Sequence, residues 1–176
     1  LSDLGVDDDQ ELQVDWGDGH SEVIPLGTAP LHLDLQHLYE DDDPSGSSSD
    51  TYTVSVTVRD DDGGSVAETL TVTVDNVAPR DLDLGPDRTA RVGDPVGLTL
   101  VFDDPGLADS FEFDWVLTDP LGVVSSFSTT TPSTLFSPTY PGEWTLHVTV
   151  GDDDGGSAGT TLHVLAVARL VQLLRR

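Results

Sequence analysis

The sequence predicts an all-β protein built from two β-sandwich modules in series, and two observations support this. Stretches 52–74 and 144–166 each contain an alternating apolar run, a Gly-Gly turn and a second alternating run. Apolar residues at every second position are typical of a strand that buries one face. The Gly-Gly pair allows positive φ, so each stretch is predicted to form a hairpin with an Asp triplet at its tip. Because this hairpin occurs twice, the chain contains at least two copies of one module.

Elements before the first hairpin follow the same logic. Alternation predicts strands over 12–16, 21–24 and 31–35, with a tight turn at 17–19 between the first two. The polar stretch 40–50 cannot bury itself and is predicted to be a loop.

The second module is predicted to have more strands than the first. Residues 111–115 are interpreted as the counterpart of 12–16, which aligns Trp115 with Trp16 as two mid-strand core residues. Nothing precedes residue 1 to match 82–102, so the first module is predicted to lack its N-terminal strands and the chain is interpreted as a fragment. The further predicted strands of the second module are 82–84, 96–102, 122–129 and 133–137.

These patterns predict two domains and a tail. The first domain spans 1–78, the second spans 79–167, and the tail spans 168–176. The tail is apolar and basic, and is interpreted as frayed chain or the start of a further segment, with an amphipathic anchor as the less favoured alternative.

The charge, the absence of cysteine and the lack of long apolar runs indicate which kinds of partner and site to expect. The chain has 33 acidic residues, seven arginines and a formal charge of −26, which opposes binding to nucleic acid or anionic lipid and favours cations or basic partners. The alternative is that the charge only solvates the surface. Cysteine is absent, which excludes disulfides and Cys-ligated metal. No apolar run reaches the roughly 18–20 residues of a membrane helix, so membrane insertion is not expected.

Several motifs in family order resemble the PKD (polycystic kidney disease) repeat. They are Val-Asp-Trp-Gly-Asp-Gly at 14–19, His-Leu-Tyr at 37–39, the Asp-Asp-Gly-Gly-Ser hairpin tip, and Val-Asp-Asn-Val-Ala-Pro at 74–79. The second module departs from the pattern, because 115–119 replaces the Trp-Gly-Asp-Gly turn and the His is missing. The resemblance implies tandem immunoglobulin-like β-sandwiches in an extracellular or cell-surface protein, where such modules act as spacers, adhesive modules or accessory binding modules, and some bind calcium.

The predicted function is therefore a non-catalytic spacer and interaction module of a larger secreted protein, with neighbouring domains of the same polypeptide as partners. The alternative is an accessory module that binds polysaccharide or a surface protein. Catalysis is not predicted, because the chain lacks a Gly-x-Ser-x-Gly elbow and a paired-His zinc motif. Its abundant acids are placed on open hairpin tips rather than in a pocket.

Calcium is the predicted cofactor, because it prefers six to eight oxygen ligands on flexible loops. Sandwich topology places the loop before the Trp strand and the last hairpin at one end of a module. A calcium site near the junction of the modules is predicted from Asp75, Asn76, Asp103, Asp104, Asp109, Asp152, Asp153 and Asp154. A second site is predicted from Asp7, Asp8, Asp9, Asp60, Asp61 and Asp62. The alternative is that these acids are solvated tips that deter edge-to-edge aggregation.

Overall fold

A computed structural model describes residues 9–26, 32–43 and 45–169 of the chain. These residues form thirteen β-strands, so the all-β prediction is confirmed. The first strands along the chain are β1 (Gln10–Asp15), β2 (Ser21–Leu26), β3 (Ser49–Asp60), β4 (Ser65–Asp75), β5 (Arg80–Asp83) and β6 (Arg88–Arg91). They are followed by β7 (Val96–Thr99), β8 (Val101–Asp103), β9 (Glu112–Thr118), β10 (Val124–Thr129), β11 (Ser133–Phe136), β12 (Gly142–Gly151) and β13 (Ser157–Val167).

The chain divides into two compact units, which are described separately. The described part of the first unit is 9–26, 32–43 and 49–75, and that of the second is 45–48 and 76–169. The domain limits predicted from the sequence, 1–78 and 79–167, remain a prediction.

The first unit contains one antiparallel sheet in the order β2-β1-β3-β4. Its buried apolar centre is small: Leu12, Val14 and Val54, with Tyr52 also buried. Partly buried side chains from the sheet and from the segment 32–43 surround that centre. In the described residues this unit has no counterpart of β5 to β8.

The second unit is an immunoglobulin-like β-sandwich. Its larger sheet has the order β10-β9-β12-β13-β6, and the β13–β6 pairing is parallel. The opposite side is formed by the pairs β7–β11 and β5–β8. Side chains from both sides, such as Trp115 and Leu146 from the large sheet and Leu98 and Phe136 from β7 and β11, belong to one buried cluster. This shared core holds the two layers together.

The repeat is visible in the pairing of the strands. Strands β2-β1-β3-β4 of the first unit correspond in order to β10-β9-β12-β13 of the second. Tyr52 lies opposite Val72 near the start of one hairpin, and Trp144 lies opposite Val164 in the other. Both aromatic rings are buried, at 7% exposure. The prediction of two copies of one acid-tipped hairpin is confirmed.

The predicted alignment of Trp16 with Trp115 is wrong by two residues. Trp115 lies opposite Val148, whereas the residue opposite the equivalent Val56 is Val14. Trp16 follows the last residue of β1, and its N–H donates to the His20 carbonyl, so it begins the turn instead of lying mid-strand. Because side chains repeat every two residues along a strand, a slip of two still predicts the correct face. Trp115 is fully buried and Trp16 is partly buried in the first core.

Two other strand predictions are also corrected. Residues 32–35 are not in a strand, although their apolar residues alternate. The predicted strand 96–102 is broken after Thr99, where the N–H of Leu100 donates to the carbonyl of Pro132. As a result β7 pairs with β11 while β8 pairs with β5. Alternation alone cannot show that a strand changes its partner.

Candidate metal-binding sites

Four of the predicted acidic ligands converge at one end of the second unit. Carboxylate oxygens of Asp109, Asp153 and Asp154 all lie within 4.8 Å of one another. Those of Asp104 and Asp109 also lie within 4.8 Å of each other. We call Asp104, Asp109, Asp153 and Asp154 the acidic cluster. The β8–β9 loop supplies the first two residues, and the turn between β12 and β13 supplies the others, so the sandwich topology positions them as predicted.

Local hydrogen bonds hold the β8–β9 loop in this position. The Gly106 N–H donates to Asp104 Oδ1 at 2.9 Å, which closes a short Asx turn. The Asp109 carboxylate packs so closely on Gly106 that a Cβ there would overlap its oxygens. The Ser110 N–H donates to Asp153 Oδ1 at 2.7 Å, which joins this loop to the β12–β13 hairpin. Gly106 and the Ser110 amide are thus parts of the site that the sequence did not indicate as functional. The Asp-Pro-Gly sequence at 104–106 is typical of a turn, and this signal could have drawn attention to Gly106.

The three aspartates of the β12–β13 turn, Asp152 to Asp154, make different contacts. Asp152 Oδ1 accepts a hydrogen bond from the Gly156 N–H at 2.6 Å, and Oδ2 accepts one from Asn76 Nδ2 at 3.2 Å. Asp152 therefore stabilises the turn and ties Asn76 to it. Asp153 and Asp154 face the β8–β9 loop instead. Only the last two contribute to the acidic cluster.

Burial and charge distinguish the cluster from an ordinary solvated tip. Asp154 is 7% exposed, although it carries a carboxylate. The Ser110 N–H lowers the pKa of Asp153 from its ordinary value, so that carboxylate stays ionised at neutral pH. Carboxylates this close together repel one another when they are ionised, and a bound cation would relieve the repulsion.

The other residues of the predicted junction site lie elsewhere. Asp103 forms an ion pair with Arg80, with 2.9 Å between Oδ2 and Nη2. Asp75 belongs to the first unit and is exposed at the end of β4. Asn76 contacts the cluster's hairpin through Asp152, as described above.

The predicted second site is only partly within the described chain. Asp7 and Asp8 lie outside the described residues. Asp9 is exposed and precedes Gln10, whose register partner is Asp60. Asp60 Oδ1 accepts from the Gly64 N–H at 2.6 Å, so it holds the first hairpin turn as Asp152 holds the second. Asp61 and Asp62 are exposed. Among the described residues, these acids do not form a group of three with ligand atoms within 4.8 Å.

The chain was compared with known families, with curated proteins and with solved structures. No known family profile matches the chain, and no curated protein matches it. Among solved structures, the chain is similar to the fibronectin(III)-like modules of Clostridium thermocellum CbhA, with 14% sequence identity and a TM-score of 0.42. The match covers 94% of this chain and 83% of that one. Within the part of the chain that the structure describes, no helix is suited to crossing a membrane.

Proposed function

We propose that this chain is a non-catalytic spacer and interaction segment of PKD type, belonging to a larger secreted or cell-surface protein. The observation that carries the proposal is the repeated four-strand order, in which two serial units each present the same acid-tipped hairpin. Two serial β-units of this kind suit a mechanical role between neighbouring domains of one polypeptide. The strong negative charge supports a segment that binds neither nucleic acid nor anionic membranes.

Calcium at the acidic cluster is the second part of the proposal. Three carboxylates with oxygens within 4.8 Å of one another, and a fourth beside them, would supply four of the six to eight hard oxygen donors that Ca²⁺ prefers, and water would supply the rest. The ligands come from the β8–β9 loop and from the β12–β13 turn. A bound ion would therefore tie two chain segments that are distant in sequence and stiffen that end of the unit.

The chain offers a matched pair of variants for testing calcium binding. By hairpin register Asp154 corresponds to Asp62, yet Asp154 is buried and clustered while Asp62 is exposed. Asp154→Asn removes one cluster charge with almost no change of shape, and Asp62→Asn makes the same change at the solvated tip. Calorimetric titration with Ca²⁺, with Mg²⁺ as the control ion, measures the affinity of each variant.

We expect Ca²⁺ to bind the unmodified chain and Asp62→Asn equally and Asp154→Asn more weakly. At a free calcium concentration of 100 times Kd, binding would add about 2.7 kcal/mol to the free energy of unfolding. The absence of calcium heat, or equal affinity in both variants, would show that the acidic cluster is not a calcium site. The spacer role would be unaffected by that result.

Two exposed aromatic rings favour testing the alternative function. Phe127 and Tyr140 are 40% and 50% exposed, whereas the other Phe, Tyr and Trp side chains of the described chain are buried or partly buried. An accessory binding module would use such rings to stack on sugars. The test is retention of the purified chain on insoluble polysaccharides, with Tyr140→Ala as the control. A spacer is not retained, whereas retention that Tyr140→Ala abolishes would replace the spacer by the carbohydrate-binding alternative.

A further inference from the structure

A second group of side chains that could bind a metal lies in the first unit, and unlike the acidic cluster it contains histidine. Asp18 Oδ2 is 2.7 Å from His37 Nε2 and 3.1 Å from His20 Nδ1. These three ligand atoms all lie within 4.8 Å of one another. Two imidazoles and one carboxylate form a mixed nitrogen and oxygen donor set, which suits zinc and neighbouring transition metals and does not suit calcium.

Two of the three ligands are held rigidly before any metal arrives. The His37 ring stacks on Trp16, with ring centroids 4.8 Å apart and planes at 12°, and meets the edge of Tyr39 at 4.7 Å. The Tyr39 hydroxyl donates to the Trp16 carbonyl at 2.7 Å, which fixes this aromatic support. Asp18 is held through its other oxygen, because Oδ1 accepts the His20 N–H at 3.0 Å. Oδ2 therefore points at both rings.

The exposures leave an entry path. The side chains of His37 and Asp18 are 15% and 16% exposed, while that of His20 is 76% exposed. A hydrogen bond between His37 and Asp18 alone would suffice to tether the segment 32–43 to the sheet. The exposed His20 ring also faces the same Asp18 oxygen, and a tether would not require this second contact.

We propose that Asp18, His20 and His37 form a transition-metal site that takes Zn²⁺, with water completing the coordination on the solvent side. With Zn–N and Zn–O bonds of about 2.0–2.2 Å, neighbouring ligand atoms of a tetrahedral site are about 3.3–3.6 Å apart. The separations of 2.7 Å and 3.1 Å between Asp18 and the two histidines need to open by less than about 1 Å to reach that range.

His20 and His32 provide a matched pair for the test. Each is an exposed histidine beside an aspartate, since His32 Nε2 lies 3.2 Å from Asp34 Oδ1 with both side chains at least 86% exposed. Among the described residues, His20 has a third ligand next to it and His32 does not. The full chain is titrated with Zn²⁺ by calorimetry in millimolar Ca²⁺, which competes with Zn²⁺ for the acidic loops, and the bound site is followed by the visible absorption of Co²⁺.

We expect one Zn²⁺ per chain at this site, with affinity unchanged in His32→Ala. Affinity in His20→Ala should fall at least about tenfold, because even the loss of an outer-shell partner costs that much in known metal sites. The urea midpoint of His20→Ala without metal should match that of the unmodified chain, which separates loss of a ligand from loss of the fold. Equal zinc affinity in His20→Ala and the unmodified chain, or no Zn²⁺ binding in the presence of calcium, would overturn the proposal. Calcium binding at the acidic cluster is independent of either result.

Discussion

The turn that carries Asp18 depends on two glycines for different reasons, and this difference can be measured. Gly17 and Gly19 both have positive φ, at +85° and +92°. A Cβ added to Gly17 would lie 2.6 Å from the Thr53 carbonyl oxygen on β3, whereas one added to Gly19 would meet nothing within 4 Å. Gly19→Ala therefore introduces backbone strain alone. Gly17→Ala introduces the same strain and a clash with the backbone of a neighbouring strand.

The expected magnitudes follow from these two terms. A non-glycine residue in the left-handed region costs about 1–2 kcal/mol. A forced overlap in a packed region adds about 1–3 kcal/mol, because the neighbouring strand must shift. Both variants reduce the entropy of the unfolded chain equally, so this term cancels in the comparison. Gly17→Ala should therefore lower the free energy of unfolding of the first unit by about 1–3 kcal/mol more than Gly19→Ala does.

Hydrogen exchange in increasing urea, followed by mass spectrometry of peptides from β1 and β3, reports on the first unit by itself. Protection in β12 and β13 of the second unit serves as the internal reference. Equal losses for the two variants would refute the close approach of Gly17 to β3, and with it the placement of the Asp18 turn against the sheet.

Two further predictions concern the cores. Burial, reinforced by nearby carboxylates such as Asp43 and Asp50, raises the pKa of Tyr52 above its ordinary value of 10. Because the unfolded state therefore ionises at a lower pH than the folded state, the stability of the first unit should fall as the pH rises above about 10. Urea midpoints measured across this pH range should fall less in Tyr52→Phe than in the unmodified chain. Leu146 is fully buried in the second unit, so Leu146→Ala should lower its free energy of unfolding by about 3–5 kcal/mol, whereas Leu165→Ala, at a half-exposed position, should change it by less than about 1 kcal/mol in the same urea titration.

The sequence was sufficient to predict the hairpins because a strand's period and a Gly-Gly turn are both local signals. Residues 52–58 and 144–150 alternate without interruption, and Gly63 and Gly155 have the positive φ that their turns require. The register of each hairpin follows from its turn, so the repeat was also predictable. These are the long strands β3, β4, β12 and β13.

Contacts between distant segments were less predictable. The break at Leu100 depends on the Pro132 carbonyl, which accepts its N–H, and nothing near residue 100 signals that partner. The placement of Trp16 depends on the Gly17–Thr53 approach and on the turn's hydrogen bonds. Alternation in 31–35 predicts a strand, but the described residues of this segment form none. Their contribution to the first core is the partly buried Leu35 side chain. In each case a tertiary contact overrode a local pattern.

The two hairpin tips explain why a metal site cannot be inferred from a tip alone. Both have the sequence Asp-Asp-Asp-Gly-Gly-Ser, and in both the first aspartate accepts a hydrogen bond from the second glycine. The third aspartate is exposed in the first hairpin and buried in the second. The difference comes from the β8–β9 loop, which brings Asp109 and the Ser110 amide to the second tip. Identical residues thus act as a solvated turn in one unit and as part of a cation-binding candidate in the other, because the second tip meets a partner from another part of the chain.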